Sequence, residues 1–263
     1  MQRNMPTVMV IALILVLLFF MLPLAALVWR AIEREGILDY LDDPMVREAM
    51  RLSLTTSLTS LAIAIIFGTP VAWLLARWKF PGHRLVETLI DLPIVLPPVV
   101  AGVALLMAFG RRGVLGEQLE WLGIQVPFTT LAVIVAQTFV AAPFYIRSAI
   151  AGFAEIDRDI ELAGEIDGAT TLRVLRDISV PAAMPSLAAG AVLCWARALS
   201  EFGATLLFAG NLQGRTQTMP LAIMTAFESS LGAALALSVI LLVVSFAIIF
   251  ASRSLTRRDP RTD

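Results

Sequence analysis

Lysine, histidine and cysteine each occur once in this chain, as Lys79, His83 and Cys194, and each scarcity removes a class of function. One cysteine excludes an intrachain disulfide framework and a multi-cysteine metal cluster. One histidine leaves a metal-dependent intramembrane enzyme without the clustered ligands it needs, and a serine hydrolase built on Ser186 or Ser200 has no neighbouring base. A phosphate-binding loop needs G-x-x-x-x-G-K-[ST], and Lys79 is followed by Phe80, so the chain has no means of its own to hydrolyse ATP. Charged residues make up only 16% of the sequence and the formal net charge is −1, which argues against a nucleic-acid partner. A soluble domain is missing too, since the longest polar interval runs only from Glu155 to Pro181.

What is present is apolar. Hydrophobic residues make up 58% of the 263 positions and the mean hydropathy is +0.83, well outside the range of an ordinary soluble domain. Crossing about 30 Å of hydrocarbon takes roughly 20 helical residues. Runs of that kind predict an all-α, polytopic membrane protein with one transmembrane domain over residues 1–263 and six spans at about 5–29, 52–76, 90–110, 128–148, 180–208 and 230–252. A cytoplasmic loop at 153–180 separates the fourth and fifth. The first run is longer than the apolar part of a cleaved secretory signal and reads as an uncleaved span. Twelve lysines and arginines, among them Arg3, Arg77, Arg147, Arg257, Arg258 and Arg261, then fall on one side against seven, among them Arg34, on the other. The basic side is the cytoplasmic one, so both termini are expected inside.

Proline marks irregular spans. Pro6 and Pro23 sit near the ends of the first, Pro70 in the second, and Pro93, Pro97 and Pro98 in the third. Proline within a span frees a backbone carbonyl that a neighbouring helix or a wet cavity must satisfy. The third span is therefore either pore-lining or kinked for packing alone. The fifth is rich in small residues from Ala182 to Ala191, which permit close helix approach in lipid and favour a central position. The sixth, all Leu, Val, Ile and Phe from Leu237 to Phe250 apart from small residues, suits lipid. A pathway lined only by the third and fifth spans would be open on one side, and a second copy would close it, so a homodimer is expected.

The polar interval has helical spacing at Ile156, Ile160, Ala163 and Ile166. Gly168 can end that helix in the left-handed conformation, and Thr170 or Thr171 can cap a second one with its hydroxyl. Pro181 marks the return to the membrane. Such a loop is either an amphipathic interfacial segment or a docking surface. Gly168 is followed after nine residues by Ile178, Ser179, Val180 and Pro181, and this spacing resembles the "EAA" loop of inner-membrane permease subunits of ATP-binding-cassette importers. Leu162, Ala163 and Gly164 stand where that family has Glu-Ala-Ala, with Glu161 next door as the one available glutamate. The resemblance implies that Glu161, Ala163, Gly164, Gly168, Ala169, Thr170, Ile178 and Pro181 meet a cytoplasmic ATPase.

From Arg197 the chain reads RALSEFGATLLFAGNLQGRTQTMPLAI. Arg197 and Glu201 are four apart, on one helical face, where each can neutralise the other in lipid; the pair is either functional or a brace between spans. Gly203 and Thr205 offer backbone amides and a hydroxyl to an oxyanion, while Gly210 and Gly214 are equally well explained as turns. Together with Pro97, Pro98 and Gly102 of the third span, Arg197, Glu201, Gly203 and Thr205 are the expected translocation path. Asp91 fits a proton relay or, more simply, a charge at a helix N-terminus, and His83, among basic neighbours, fits a solvated surface. No metal site is expected.

The stretch from Arg197 resembles the corresponding one of molybdate permeases, with sulfate permeases related. The resemblance implies a pore subunit in the inner membrane of a prokaryote, working as a homodimer with two copies of a cytoplasmic ATPase, which binds the ATP and Mg, and with an extracytoplasmic oxyanion-binding protein. Molybdate is the expected ion, with tungstate or sulfate as alternatives, and no cofactor in this chain. An ion-coupled secondary transporter, which also uses broken helices and membrane charges, is the rival of a different class.

Overall fold

A computed structural model describes residues 7–33 and 39–256. Arg3, Pro6, Arg34, Arg257, Arg258 and Arg261 lie outside the described residues, as do both chain ends. Every regular element among the described residues is helical. Four helices are long and apolar enough to cross a membrane: α1 (Thr7–Glu33), α2 (Pro44–Arg77), α6 (Thr130–Ala154) and α13 (Leu231–Thr256). The count rises to as many as six if each of two bent pairs is taken as one span.

Those pairs fall where sequence places the third and fifth spans. The third is two helices, α3 (His83–Val95) and α4 (Pro98–Phe109), between which the chain turns by 119°. Pro97 sits in the corner with extended backbone, because Pro98 restricts the residue before it and has no N–H to carry a helix through. Asp91 consequently lies deep in α3 rather than at a helix start, and the helix-dipole explanation fails. The fifth span is likewise segmented. A short helical stretch from Thr171 to Ala182 meets α10 (Met184–Leu199) at 80°, and after a break at Ser200–Phe202 the chain resumes as α11 (Gly203–Ala209). Short α5 (Gly116–Trp121) precedes α6, and α12 (Met219–Ser229) precedes α13.

The core is the three-way packing of α2, α6 and α10. Its layer includes Trp73, Tyr145, Phe153, Leu187 and Cys194 with several alanines. Small residues set the spacing: a Cβ on Gly152 would lie 2.4 Å from the Cβ of Ser186, and one on Gly190 2.6 Å from that of Ser148. Van der Waals contact and polar bridges, not hydrophobicity, drive helix association in lipid, and α2 supplies the bridges. Ser53 Oγ accepts from Met219 N at 2.7 Å, Ser57 Oγ accepts from Trp195 Nε1 at 3.0 Å, and Ser60 Oγ donates to the Ile134 carbonyl at 3.1 Å. Three serines on one face thus tie α2 to α12, α10 and α6. α13 exposes Val243, Phe246 and Phe250, as a lipid-facing helix would, while α1 rests on α13 and leaves its apolar length uncovered.

Candidate functional site

The polar loop is folded as an elbow of short helices. Asp157, with extended backbone, accepts from Asp159 N at 3.1 Å and caps α7 (Arg158–Ile166); Asp159 in the first turn further favours the positive end of the helix dipole. Gly168 adopts φ 85°. Its N–H donates to Glu165 O and that of Ala169 to Gly164 O, both at 3.0 Å, the paired bonds of a Schellman terminus. The left-handed residue expected here is present. The expected threonine cap is not: Thr170 precedes α8 (Thr171–Val174) with no side-chain cap bond and remains exposed.

Beyond α8 the helix widens into a π turn over Leu175–Ser179 and continues as α9 (Val180–Ala182). Val180 N donates five residues back to Leu175 O. Pro181, lacking an N–H, cannot complete the ordinary ladder, so the turn expands where the chain heads back to the bundle. A π turn of this kind is a frequent functional feature.

Glu161 departs most from expectation. Instead of facing outward it is buried, and its carboxylate meets three donors: Ser179 Oγ at 2.5 Å, Trp73 Nε1 at 3.2 Å and, as an ion pair, Arg77 Nε at 2.6 Å. The Arg77 Nε–H is not aligned with the carboxylate, so that contact is electrostatic rather than a directed hydrogen bond. Burial alone would push the carboxyl upward, but Ser179, Arg77 and Trp73 overcome it and hold Glu161 below the usual carboxylate range. Gly164 packs tightly on Ile178, whose Cδ1 lies 2.5 Å from where a glycine Cβ would stand. Outward face Ile160, Leu162, Ala163, Ile166, Gly168 and Thr170, all exposed. Ala169 and Ile178 are half-buried and Pro181 is exposed.

The expected path residues come together where α4 crosses α11. A Cβ on Gly102 would lie 2.7 Å from Leu207 Cβ and 2.9 Å from the Ala204 carbonyl, and one on Gly203 would lie 2.9 Å from Pro98 Cβ. Pro98, Gly102 and Gly203 therefore form a closed seam. Behind it, Glu201 is 1% exposed and occupies the break between α10 and α11. Its carboxylate accepts from Ala204 N at 2.8 Å and pairs with Arg197 Nη2 at 2.8 Å. The pair is real, but it spans a helix end rather than one helical face. Thr205 is buried and its hydroxyl has no hydrogen-bond partner among the described residues. Pro97 stays apart, exposed in the α3–α4 corner.

Sequence reasoning missed the partner of Asp91. Arg147, counted only among the cytoplasmic-side charges, lies inside α6 and forms a two-pronged ion pair with it. His83, half-buried rather than solvated, stands 3.7 Å from Glu87. At the other end of α4 a cavity of about 340 Å³ is lined by Arg111, Glu120, Phe128 and Arg215, among others. An arginine inside an apolar run, opposite an acid on a neighbouring run, was the available signal for the first of these.

The family model described as "Binding-protein-dependent transport system inner membrane component" matches residues 64–258. The "Molybdenum transport system permease protein ModB" of Mycobacterium tuberculosis is 39% identical over 233 residues, covering 89% of this chain and 88% of that one. The "Sulfate transport system permease protein CysT" of Salmonella typhimurium is 33% identical over 253 residues, covering 95% and 91%. The crystal structure of a bacterial alginate ABC transporter, in complex with an alginate pentasaccharide-bound periplasmic protein, contains a chain with the same fold at TM-score 0.74 and 18% identity, covering 97% of this chain and 94% of that one. These matches set aside the secondary-transporter reading: the chain belongs to the family of binding-protein-dependent transport system inner membrane components, multi-pass permease subunits that carry no ATPase site of their own.

Proposed function

We propose that this chain is the pore subunit of an ATP-driven oxyanion importer, with molybdate as the ion. The observation that carries the reading is the 39% identity over 89% of the chain with a molybdenum transport permease, supported by the elbow at Asp157–Ala182. In this reading each bent pair counts as one span, giving six, with both termini cytoplasmic. Two copies of the chain enclose the path, and each presents Ala163, Gly164, Gly168, Ala169 and Thr170, with Ile178 and Pro181 behind them, to one of two ATPase subunits. ATP-driven closure of those subunits moves the elbows, and the seam of Pro98, Gly102 and Gly203 parts. An external binding protein releases its ion toward Arg197, Glu201 and Thr205, and hydrolysis resets the path.

Sulfate is the second reading, favoured by the 33% identity with a sulfate permease over 95% of the chain; tungstate is a close chemical relative of molybdate. The test is uptake of labelled molybdate into proteoliposomes containing this chain, its ATPase and its binding protein. ATP-dependent uptake that unlabelled molybdate suppresses and sulfate does not is expected. Suppression by sulfate at equal concentration would replace the substrate, and uptake without ATP would overturn the class.

A further inference from the structure

The elbow is covalently continuous with α6 at one end and with α10 at the other, but not with α2. Its polar link to α2 is one knot of side chains. Arg77, the last residue of α2, reaches Glu161 through Nε at 2.6 Å and the Ile156 carbonyl through Nη2 at 3.3 Å, so it holds both sides of the α6–α7 corner. Trp73, one turn earlier on α2, donates to the same carboxylate. Ser179 of the π turn donates to it from the far side. Three residues from two other elements, Trp73 and Arg77 at the end of α2 and Ser179 of the π turn, thus close on one side chain.

Val174 and Leu175 of the elbow share an apolar cluster with Ala72 and Trp73 of α2, but α7 itself adds little apolar contact there. Leu162 and Ile166 of α7 face outward at 41% and 86% exposure, and a small void of about 40 Å³, bordered by Trp73, Trp78 and Leu162, separates α7 from the end of α2 beside the pair. A buried ion pair is also a poor device for stability alone, because apolar residues of similar volume commonly serve as well or better. What such a pair supplies is a fixed geometry, lost when one partner is removed. α2 is the helix whose serines bind α6, α10 and α12, so displacement of its loop end reaches all three.

We propose that Glu161 is a positioning residue which, through Arg77, makes α7 and α2 move as one body, so that the elbow drives α2 directly and not only the helices it is joined to. This inference rests on the proposed importer reading. Glu161 acts by transmitting motion, and makes no contact with the ATPase.

The test uses the assembled complex in proteoliposomes with its binding protein, measuring ATP hydrolysed and molybdate taken up in the same vesicles. Glu161→Gln keeps an oxygen for Ser179 and Trp73 but loses the charge that Arg77 needs. Its complex should retain the ATPase subunits and hydrolyse ATP, while uptake per ATP falls at least about five-fold. Arg77→Gln should do the same, and the double variant should be no worse than either single one, as for residues acting as a unit. Exchanging the pair, Glu161→Arg with Arg77→Glu, should restore part of the ratio. An unchanged ratio in Glu161→Gln overturns the proposal, and so does release of the ATPase, which would make Glu161 a docking contact. Absence of ATP-dependent uptake in the unmodified complex would instead overturn the importer reading. Where Glu161→Gln fails to fold, spin labels at Leu74→Cys and Arg158→Cys decide in the otherwise native chain. Their separation should be the same with and without trapped ATP, while a label at Val103→Cys on α4 moves relative to α7. A change in the first pair as large as in the second would overturn the proposal.

Discussion

Asp91 on α3 and Arg147 on α6 face each other as a two-pronged ion pair, with Nε and Nη2 of the guanidinium each directed at one carboxylate oxygen. Glu87, one turn earlier on α3, lies 3.6 Å from Nη1 of the same arginine. The pair adds a charged contact to the packing of α3, beyond the 119° corner at Pro97, against the central helix α6. Their side chains are 29% and 41% exposed, so water screens part of the attraction. Removing one partner by Asp91→Asn or Arg147→Ala should cost about 1–3 kcal/mol, read as a lowered Tm in detergent. The double variant should lose less than the sum of the two, because the charge left behind contributes to each single loss. Strict additivity would show that the contact is incidental.

Gly168 is a conformational requirement, not a steric one. Its φ is 85° and a Cβ there would meet nothing within 4 Å. Gly168→Ala should therefore cost about 1 kcal/mol through backbone strain alone, and Gly168→Asn less, because asparagine visits this region more readily. Loosening the Schellman turn displaces Ala169 and Thr170 from the surface proposed to meet the ATPase. Co-purification of the ATPase should weaken roughly five-fold in Gly168→Ala and less in Gly168→Asn. Equal binding by all three would place the contact elsewhere.

Much of this elbow is legible in the amino-acid order, because it is local. A glycine at the end of a helical period and a proline about thirteen residues later determine the shape through short-range bonds. The inward turn of Glu161 was not legible. Its partners Trp73 and Arg77 belong to a helix some 80 residues earlier, Trp73 being 88 away, and spacing carries no trace of that meeting. Distance in sequence likewise hides Arg147 from Asp91, 56 residues apart. Long apolar runs revealed where helices lie, and Pro97 and Pro98 marked the third span as irregular, but hydropathy is blind to how sharp a corner they build. The small residues Gly102 and Gly203 were recognisable as special, yet only their juxtaposition shows that they close a seam instead of lining an open channel.

Glu161 gives the elbow a sensitivity to acid whose sign follows from its partners. Its carboxyl lies lower when folded than when free, because Ser179, Arg77 and Trp73 outweigh the effect of burial. A group depressed in this way adds stability above its free value, about 4.3, and that contribution disappears as pH falls through the folded value. The Tm of the detergent-solubilised chain should therefore drop more steeply in acid than that of Glu161→Gln, and the two should converge once the carboxyl is protonated. Parallel curves would mean that Glu161 is not held down by the knot.

Thr205 separates stability from transport. Its hydroxyl is buried on α11 with no hydrogen-bond partner among the described residues, four residues beyond Glu201 and one beyond the amide that Glu201 caps. An unsatisfied buried hydroxyl costs free energy, so Thr205→Val, nearly equal in volume, should leave the Tm unchanged or raise it. If the hydroxyl serves the passing ion when the seam of Gly102 and Gly203 parts, the same variant should lose ATP-dependent molybdate uptake, and Thr205→Ser, which keeps the oxygen, should retain it. A Thr205→Val protein that is both as stable and as active as the native chain would remove this residue from the path. One that is destabilised would show instead that the hydroxyl has a partner in the folded protein.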